Sequence, residues 1–345
     1  MKKKVTMQAI ADELKLSKSL VSKALANQSG VSEETKELIR LTAMKLGYRI
    51  NSSNKSIASS KTGNVVTLIP REDLSDFEYW GKIVRGIEEA LSEMHFSMIL
   101  SGIDISLPTS DGMPTSVSDR KVDGAIILGN IPPAYILAVQ STGIPVVLID
   151  VHYNQLKLDH VLAENYSGGY DAAHYLIDYQ HRKIGFVGDI SYSYSFTQRF
   201  HGFNAAISEF NSRENSGIEA WHFIGSRQNH HTPYSPEELE VALTKPDRPT
   251  ALVCGNDPIA FDVLQQLEKL NIRCPEDISI IGFDNVQKCD WVTPALTSID
   301  ACKDQFGIRA VQMLFRRMDN PEIRSEHTMI STEIIERSSV ASLQS

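Results

Sequence analysis

The sequence predicts an all-α head joined by a hinge to an α/β body of two doubly wound lobes. Three observations carry that expectation. Short, capped helical patterns fill the first fifty positions, strand-length apolar runs alternate with helical patterns after residue 63, and charge divides at the same boundary. Residues 1–63 hold twelve Lys/Arg against five Asp/Glu, a balance of +7, whereas the 345-residue chain is −9 overall, which leaves −16 on the other 282 residues. A basic head on an acidic body implies that only the head approaches a polyanion. With 42% hydrophobic residues the chain has ample core material, and its length implies two or three domains.

In the head, Thr6 is placed to cap a helix running to about Glu13, with Met7, Ile10 and Leu14 on one side. After the tight connection 13-ELKL-16, Ser17 caps a second helix. There Leu20, Val21, Ala24 and Leu25 face inward and Lys18, Ser19, Ser22 and Lys23 outward. Ser32 caps a third helix that presents Thr35, Leu38, Ile39, Thr42 and Leu46, with Gly47 beyond its end. Two short helices joined by a tight turn and closed by a third make a helix-turn-helix unit. The short outward side chains of the second helix permit close approach to a major groove, and its lysines reach phosphates or guanine edges. The serine-rich 51-NSSNKSIASSKTG-63 follows as a linker, with Asn54, Ile57 and Ala58 at helical spacing beside Lys55 and Lys61.

From residue 64 the texture changes. Apolar runs at 64–70, 96–102, 124–128, 145–150, 183–188, 250–255 and 278–283 read as buried strands, and helical patterns at 80–93, 166–179, 198–210, 257–270 and 303–318 lie among them. Buried strands alternating with helices predict parallel sheets covered on both faces, in two groups that break near Val161. The stretches 104–119, 151–163 and 225–238 read as irregular surface connections, the first with at most a short helix.

Ligands of such open sheets bind beyond the strand C-termini. The sequence places Tyr79 and Trp80 at the start of the first body helix, Arg199 after the strand ending at Gly188, and Asn256 and Asp257 after Val253. Asp284 follows 280-IIGF-283, Trp291 lies beyond it, and Tyr192, Tyr194 and Phe196 form an aromatic strip after 188-GD-189. These are the candidate contacts for a polar small molecule; Asp257 has a rival role as a helix cap and the tryptophans as packing.

Taken together, 5-VTMQAIADELKLSKSLVSKALANQSGVSEETKELIRLTAMKLGY-48, 122-VDGAIIL-128, 185-GFVG-188, 199-RFHGFNAAI-207, 254-CGNDPIAFDVL-264, 275-PEDISIIGFDN-285 and 294-PALTSI-299 resemble, in order, the LacI/GalR family of bacterial transcriptional regulators. The resemblance spans essentially the whole chain. It implies a repressor that binds a near-palindromic double-stranded operator as a homodimer, with its second helix in the major groove and a hinge helix wedging the minor groove. The implied DNA contacts are Thr6, Ser17, Lys18, Ser19, Ser22 and Lys23 in the head and Asn51, Lys55 and Ile57 in the hinge. Departures from the family pattern are Leu20 for the usual Thr, Lys23 for Arg, Ile50 for Pro and Asn54-Lys55 for Ala-Arg. A lysine at 23 offers one mobile charge in place of a bidentate fork, which softens guanine discrimination.

For the body the resemblance implies a periplasmic-binding-protein-like pair of lobes crossed three times by the chain, near 162, 292 and 321. The expected domains are 1–49 for the head, 50–62 for the hinge, 63–162 with about 293–320 for the first lobe, and 163–292 with about 321–340 for the second. Positions matching Arg199 and Asp284 hydrogen-bond a sugar or purine effector in the family. A carbohydrate is favoured, because aromatic faces stack on sugar C–H surfaces while Asp284 accepts from hydroxyls. Cleft closure that changes the separation of the first lobes would couple effector to operator.

Other functions fit less well. The chain lacks a complete GxxxxGK[ST] loop, a GxSxG elbow and an HExxH pair, so an enzyme is not expected. His222, His230 and His231 read as solvated or satisfied. Cys254, Cys274, Cys289 and Cys302 form no CxxC pair and have no zinc-site spacing, so neither a metal nor a cofactor is expected. The basic start runs into an amphipathic segment with Asp12 and Glu13, and no apolar run nears the roughly 20 residues that span a membrane, so the expectation is a cytoplasmic protein with no membrane partner. Two alternatives stay open: control by a phosphorylated transport protein acting as co-regulator, and a small-molecule-binding module without a role in gene control.

Overall fold

The computed structural model describes residues 6–25, 30–46, 61–108, 112–191, 193–214, 217–225 and 234–343. The chain divides into two compact units, Met1–Lys61 and Thr62–Ser345. In the first, helix α1 spans Met7–Leu14, α2 Lys18–Leu25 and α3 Glu33–Leu46. Each starts where a hydroxyl relieves an orphan N–H: Thr6 Oγ1 accepts from Ala9 N at 3.3 Å, Ser17 Oγ from Leu20 N at 3.1 Å and Ser32 Oγ from Thr35 N at 3.3 Å. Such a cap is worth about 1 kcal/mol. Ile10, Ala11, Val21, Ala24, Ile39 and Ala43 close the core, and three alanines among six residues let short helices approach closely. Leu38, expected inside, is instead 52% exposed. The inner face of α3 runs through Ile39, Ala43 and Leu46, and residue 38, one step of helical rotation from Ile39, falls on the outside.

The second unit holds two six-stranded sheets. The first comprises β1 (Asn64–Pro70), β2 (Ser97–Ile103), β3 (Gly124–Leu128), β4 (Val146–Ile149), β5 (Asp159–Ala163) and β11 (His327–Ile330) in the order β2-β1-β3-β4-β5-β11. The second comprises β6 (Lys183–Val187), β7 (Glu219–Phe223), β8 (Ala251–Cys254), β9 (Ser279–Phe283), β10 (Thr297–Asp300) and β12 (Glu333–Ile335) in the order β7-β6-β8-β9-β10-β12. Among the described residues, every pairing is parallel except β10 with β12. Both sheets thus repeat one doubly wound order, reversing direction after their first strand. Interleaved are helices α4 (Trp80–Glu93), α5 (Thr115–Ser118), α6 (Pro133–Gln140), α7 (Asn165–Asp178), α8 (Tyr194–Glu214), α9 (Pro236–Leu243), α10 (Asp257–Lys269) and α11 (Lys303–Asp319).

Each lobe packs one pair of helices backbone to backbone. Where α4 meets α11, a Cβ on Gly86 would lie 2.6 Å from the Asp304 carbonyl oxygen, and one on Gly307 would meet Ile83 and Ile87 backbone. Where α7 meets α8, a Cβ on Gly169 would overlap the Arg199 carbonyl and one on Gly202 that of Tyr166. Only glycine permits either approach. The return of α11 to the first lobe is fixed by Phe306, Ala310, Val311 and Leu314 on its buried face, and by an Arg317 fork onto Asp159, both bonds 2.9 Å.

Connectivity departs from expectation in two places. Residues 159–163, read as surface connection, are a fully buried strand. The chain crosses between the lobes at Ala163–Asn165, at Asp300–Lys303 and at Ile330–Glu333, so 297–300 belongs to the second lobe and 327–330 to the first. The expected 293–320 and 321–340 assignments are corrected accordingly. Strands of three to five residues leave too little periodicity to read, and sheet membership depends on non-local pairing. The hinge residues Asn51, Lys55 and Ile57, together with Gly47, Ile50, Asn54, Tyr192, His230 and His231, lie outside the described residues. Among the described residues, no helix is long and apolar enough to cross a membrane.

Candidate functional site

A cavity of about 330 Å³ opens where the C-terminal ends of the two sheets face each other. Its walls come from loops at both reversal points: after β1 and β3 in the first lobe, after β6 and β8 in the second. Asp150 also lines it, directly following β4, and Asp284 directly follows β9. Both aspartates have positive φ, 56° and 111°, a backbone region that L-residues enter at a cost when the surroundings require it.

The two carboxylates meet opposite kinds of partner. Asp150 Oδ2 accepts from the Tyr79 hydroxyl at 2.6 Å and Oδ1 from the Ser195 hydroxyl at 2.8 Å, the second bond reaching across the cleft. Burial pushes the Asp150 carboxyl above its ordinary range. The same burial, with Asp150 and Asp284 nearby, pushes the Tyr79 phenol well above its own, so Tyr79 is a donor. Asp284 Oδ1 lies 3.3 Å from Arg199 Nη2 and 3.5 Å from Lys303 Nζ, and Lys303 also donates to the Asp284 carbonyl at 2.6 Å. Lys303 belongs to a helix packed on the first lobe and sits 4.3 Å from the Tyr79 ring centre. Its buried ammonium is depressed below the usual lysine range, chiefly by desolvation. A polar chain therefore runs from Ser195 through Asp150, Tyr79 and Lys303 to Asp284 and Arg199, crossing between lobes at each end.

Arg199 projects from α8 and is 3% exposed. Its Nε donates to Asn165 at 2.8 Å and its Nη1 to the Gly255 carbonyl at 2.7 Å, while its guanidinium lies 3.6 Å from the Phe283 ring centre. Three of the five N–H groups are thereby committed and the plane is held for bidentate recognition.

Of the sequence-expected residues, Tyr79, Trp80, Arg199, Asn256 and Asp284 come together on this cavity, as does Phe196. Three do not line it. Tyr194 starts α8 with its ring 4.8 Å from His152. Trp291 is 67% exposed. Asp257 is fully buried beneath the site, where it accepts from Ser298 Oγ at 2.6 Å, Val286 N at 2.9 Å and Cys289 Sγ at 3.2 Å. Burial, with Asp284 adding, lifts the Asp257 carboxyl to about 7. The cap of α10 is Asn256, whose Oδ1 accepts from Ile259 N at 3.1 Å. Sequence reading missed Asp150, Ser195, Lys288, Lys303 and the acidic residues Asp73, Asp76, Glu78 and Asp262. Asp150 had a usable signal, since 146-VVLID-150 repeats the apolar-strand-then-aspartate pattern of 280-IIGFD-284. Lys303 had none, because lysines are almost always solvated.

In the head, Thr6, Ser17, Lys18, Ser19 and Lys23 are exposed and Ser22 is half-buried. The Thr6 and Ser17 hydroxyls also serve as caps.

The family model described as a periplasmic binding protein-like domain matches residues 173–340. The HTH-type transcriptional repressor PurR of Escherichia coli is 28% identical over 345 residues, covering 97% of each chain. Among solved structures, the lac repressor dimer bound to operator and the anti-inducer ONPF superposes with a TM-score of 0.78 at 19% identity, covering 98% of this chain and all of that one. A LacI-family regulator from Enterococcus faecalis with bound ribose gives 0.65 at 26% identity, covering 81% of this chain and all of that one. These likenesses span head and body and agree with the two-sheet architecture, so the chain is similar along its length to LacI-family transcriptional regulators.

Proposed function

We propose that the protein is an effector-responsive transcriptional repressor. It binds a near-palindromic operator as a homodimer through Lys18, Ser19 and Lys23 of α2, with Asn51, Lys55 and Ile57 of the hinge adding contacts, and it takes a neutral carbohydrate in the interlobe cleft. It acts in the cytoplasm and is not an enzyme.

The observation that carries the effector reading is the composition of the cleft wall. Among the described residues that line it, six carboxylates (Asp73, Asp76, Glu78, Asp150, Asp262 and Asp284) stand with two cations, Arg199 and Lys288, and a third, Lys303, lies behind Asp284. Carboxylates accept from sugar hydroxyls, Arg199 donates to them, and Trp80 and Phe196 supply apolar faces. An excess of carboxylates repels a phosphate or carboxylate ligand, which narrows the class to uncharged sugars. The ribose-bound relative is consistent with that class. Control by a phosphorylated partner has no support among the relatives named above.

The test is a fluorescence-anisotropy titration of the full chain on palindromic DNA from its own promoter region at fixed salt, since phosphate contacts make affinity steeply salt-dependent. Neutral pentoses, hexoses and disaccharides are compared with sugar phosphates and purines. A neutral sugar is expected to shift the curve at least tenfold. A shift by a phosphorylated sugar or purine alone would overturn the effector class, and absence of specific DNA binding would overturn the repressor reading.

A further inference from the structure

Beside the cleft lies a second constellation, on the outer edge of the first sheet. The parallel register of β5 and β11 pairs His160 with His327, which sets the two imidazoles side by side, 3.6 Å between ring centres. His152, two residues past Asp150, reaches the same point from the loop after β4. One ring nitrogen from each of the three lies within 4.8 Å of the others. Two ligands on a tetrahedral metal with about 2.0–2.1 Å bonds stand roughly 3.4 Å apart, with ring centres roughly 5 Å apart. The His152 ring already stands 4.7 Å from that of His160 and 5.5 Å from that of His327, whereas the exposed His327 ring, 3.6 Å from His160 and inclined by 33°, must swing outward to complete a three-histidine set.

The outer nitrogens decide what the inner ones present. His160 Nδ1 is 3.2 Å from the Leu158 carbonyl, which can only accept, so Nδ1 carries the proton and Nε2 presents a lone pair. His152 Nε2 is 2.9 Å from Asn154 Oδ1 and donates to it, leaving Nδ1 with its lone pair. These two inner nitrogens face each other at 3.0 Å. At that distance the two nitrogens share either a proton or a metal cation. Imidazoles oriented by a carbonyl on the far nitrogen are also how proteins hold metal-binding histidines. His160 is 1% exposed whereas His327 is open to solvent, so the set has a buried anchor and an entry side.

We propose that His152, His160 and His327 bind a divalent transition metal of the zinc class, through His152 Nδ1, His160 Nε2 and one nitrogen of His327. Imidazole donors suit zinc, copper and nickel and exclude magnesium and calcium. The ion would tie the loop that begins at Asp150 to the β5–β11 edge. Tyr194 of the second lobe lies against His152, and its chain neighbours Ser193 and Ser195 line the cleft. This site is independent of the effector reading.

Isothermal titration of the metal-free full chain with Zn²⁺, followed by the visible absorption of the Co²⁺ form, tests this. One ion per chain is expected, with intense tetrahedral or five-coordinate Co²⁺ bands and a raised Tm. His152→Ala and His327→Ala should each weaken Zn²⁺ binding at least tenfold, and the double variant should lose the Co²⁺ bands, while apo Tm stays near that of the parent because neither side chain is buried. If the parent binds no Zn²⁺ in the micromolar range, or if the double variant binds it as tightly as the parent, the proposal is wrong. Should His152→Ala unfold, His327→Ala alone decides the matter by the same tenfold criterion.

Discussion

The two lobes share a strand order and a helix-crossing device, yet their fourth strands deliver aspartates into different company. After β4, Asp150 meets two hydroxyls; after β9, Asp284 meets two cations. Backbone position and positive φ are common to both. What differs is the helix that follows the reversal point. In the first lobe, the loop before α4 supplies Tyr79. In the second, α8 supplies Arg199, and Lys303 enters from α11 after a crossing. Shared topology therefore fixes where a ligand binds, while loops and returning helices choose the chemistry.

Arg199→Ala attacks the charged half directly. It leaves Asp284 with Lys303 alone in a buried setting and frees the Asn165 and Gly255 acceptors. A loss of about 3–5 kcal/mol in stability, the usual cost of breaking a buried pair, is expected, with effector binding abolished. Urea denaturation and calorimetric titration with the sugar found by the DNA assay check both; an unchanged affinity would remove Arg199 from the site.

Gly307→Ala and Gly202→Ala test whether the helix crossings are equivalent. Each puts a methyl into opposing backbone and should cost about 1–3 kcal/mol, with similar values in the two lobes. A cost confined to one lobe would show that the other crossing can widen.

Asp150→Asn probes the hydroxyl-bound half and should cost about 1 kcal/mol, because the amide keeps one acceptor for Tyr79 or Ser195 but not both. Its pH signature has a defined sign. A carboxyl raised by burial is favoured protonated in the folded state, so its contribution is fully present below the unfolded value and is lost as pH rises through the folded one. The stability–pH curve of Asp150→Asn should fall less steeply over that rise than the parent's.

The smallest effect belongs to Trp291→Ala. An indole 67% exposed and off the cleft should change stability by less than about 0.5 kcal/mol and leave effector affinity within twofold. A tenfold loss would show that closure brings the loop after β9 onto the ligand.

Local chemistry was legible where the signal lies within a few residues. Thr6, Ser17 and Ser32 announce helix starts because their hydroxyls bond N–H groups three positions on. Continuous apolar runs announce strands buried on both faces, and the division of charge separates head from body. Tyr79, Trp80, Arg199, Asn256 and Asp284 were legible as cleft candidates because each follows a readable strand or starts a readable helix. Tertiary structure alone decided the rest. It assigned 297–300 and 327–330 to their sheets, moved Trp291 off the cleft and sank Asp257 beneath it. It also buried Lys303 between two lobes and gathered His152, His160 and His327 from three segments. Periodicity reports which face of an element is buried, whereas strand pairing and the meeting of side chains distant in the chain depend on how the whole core closes.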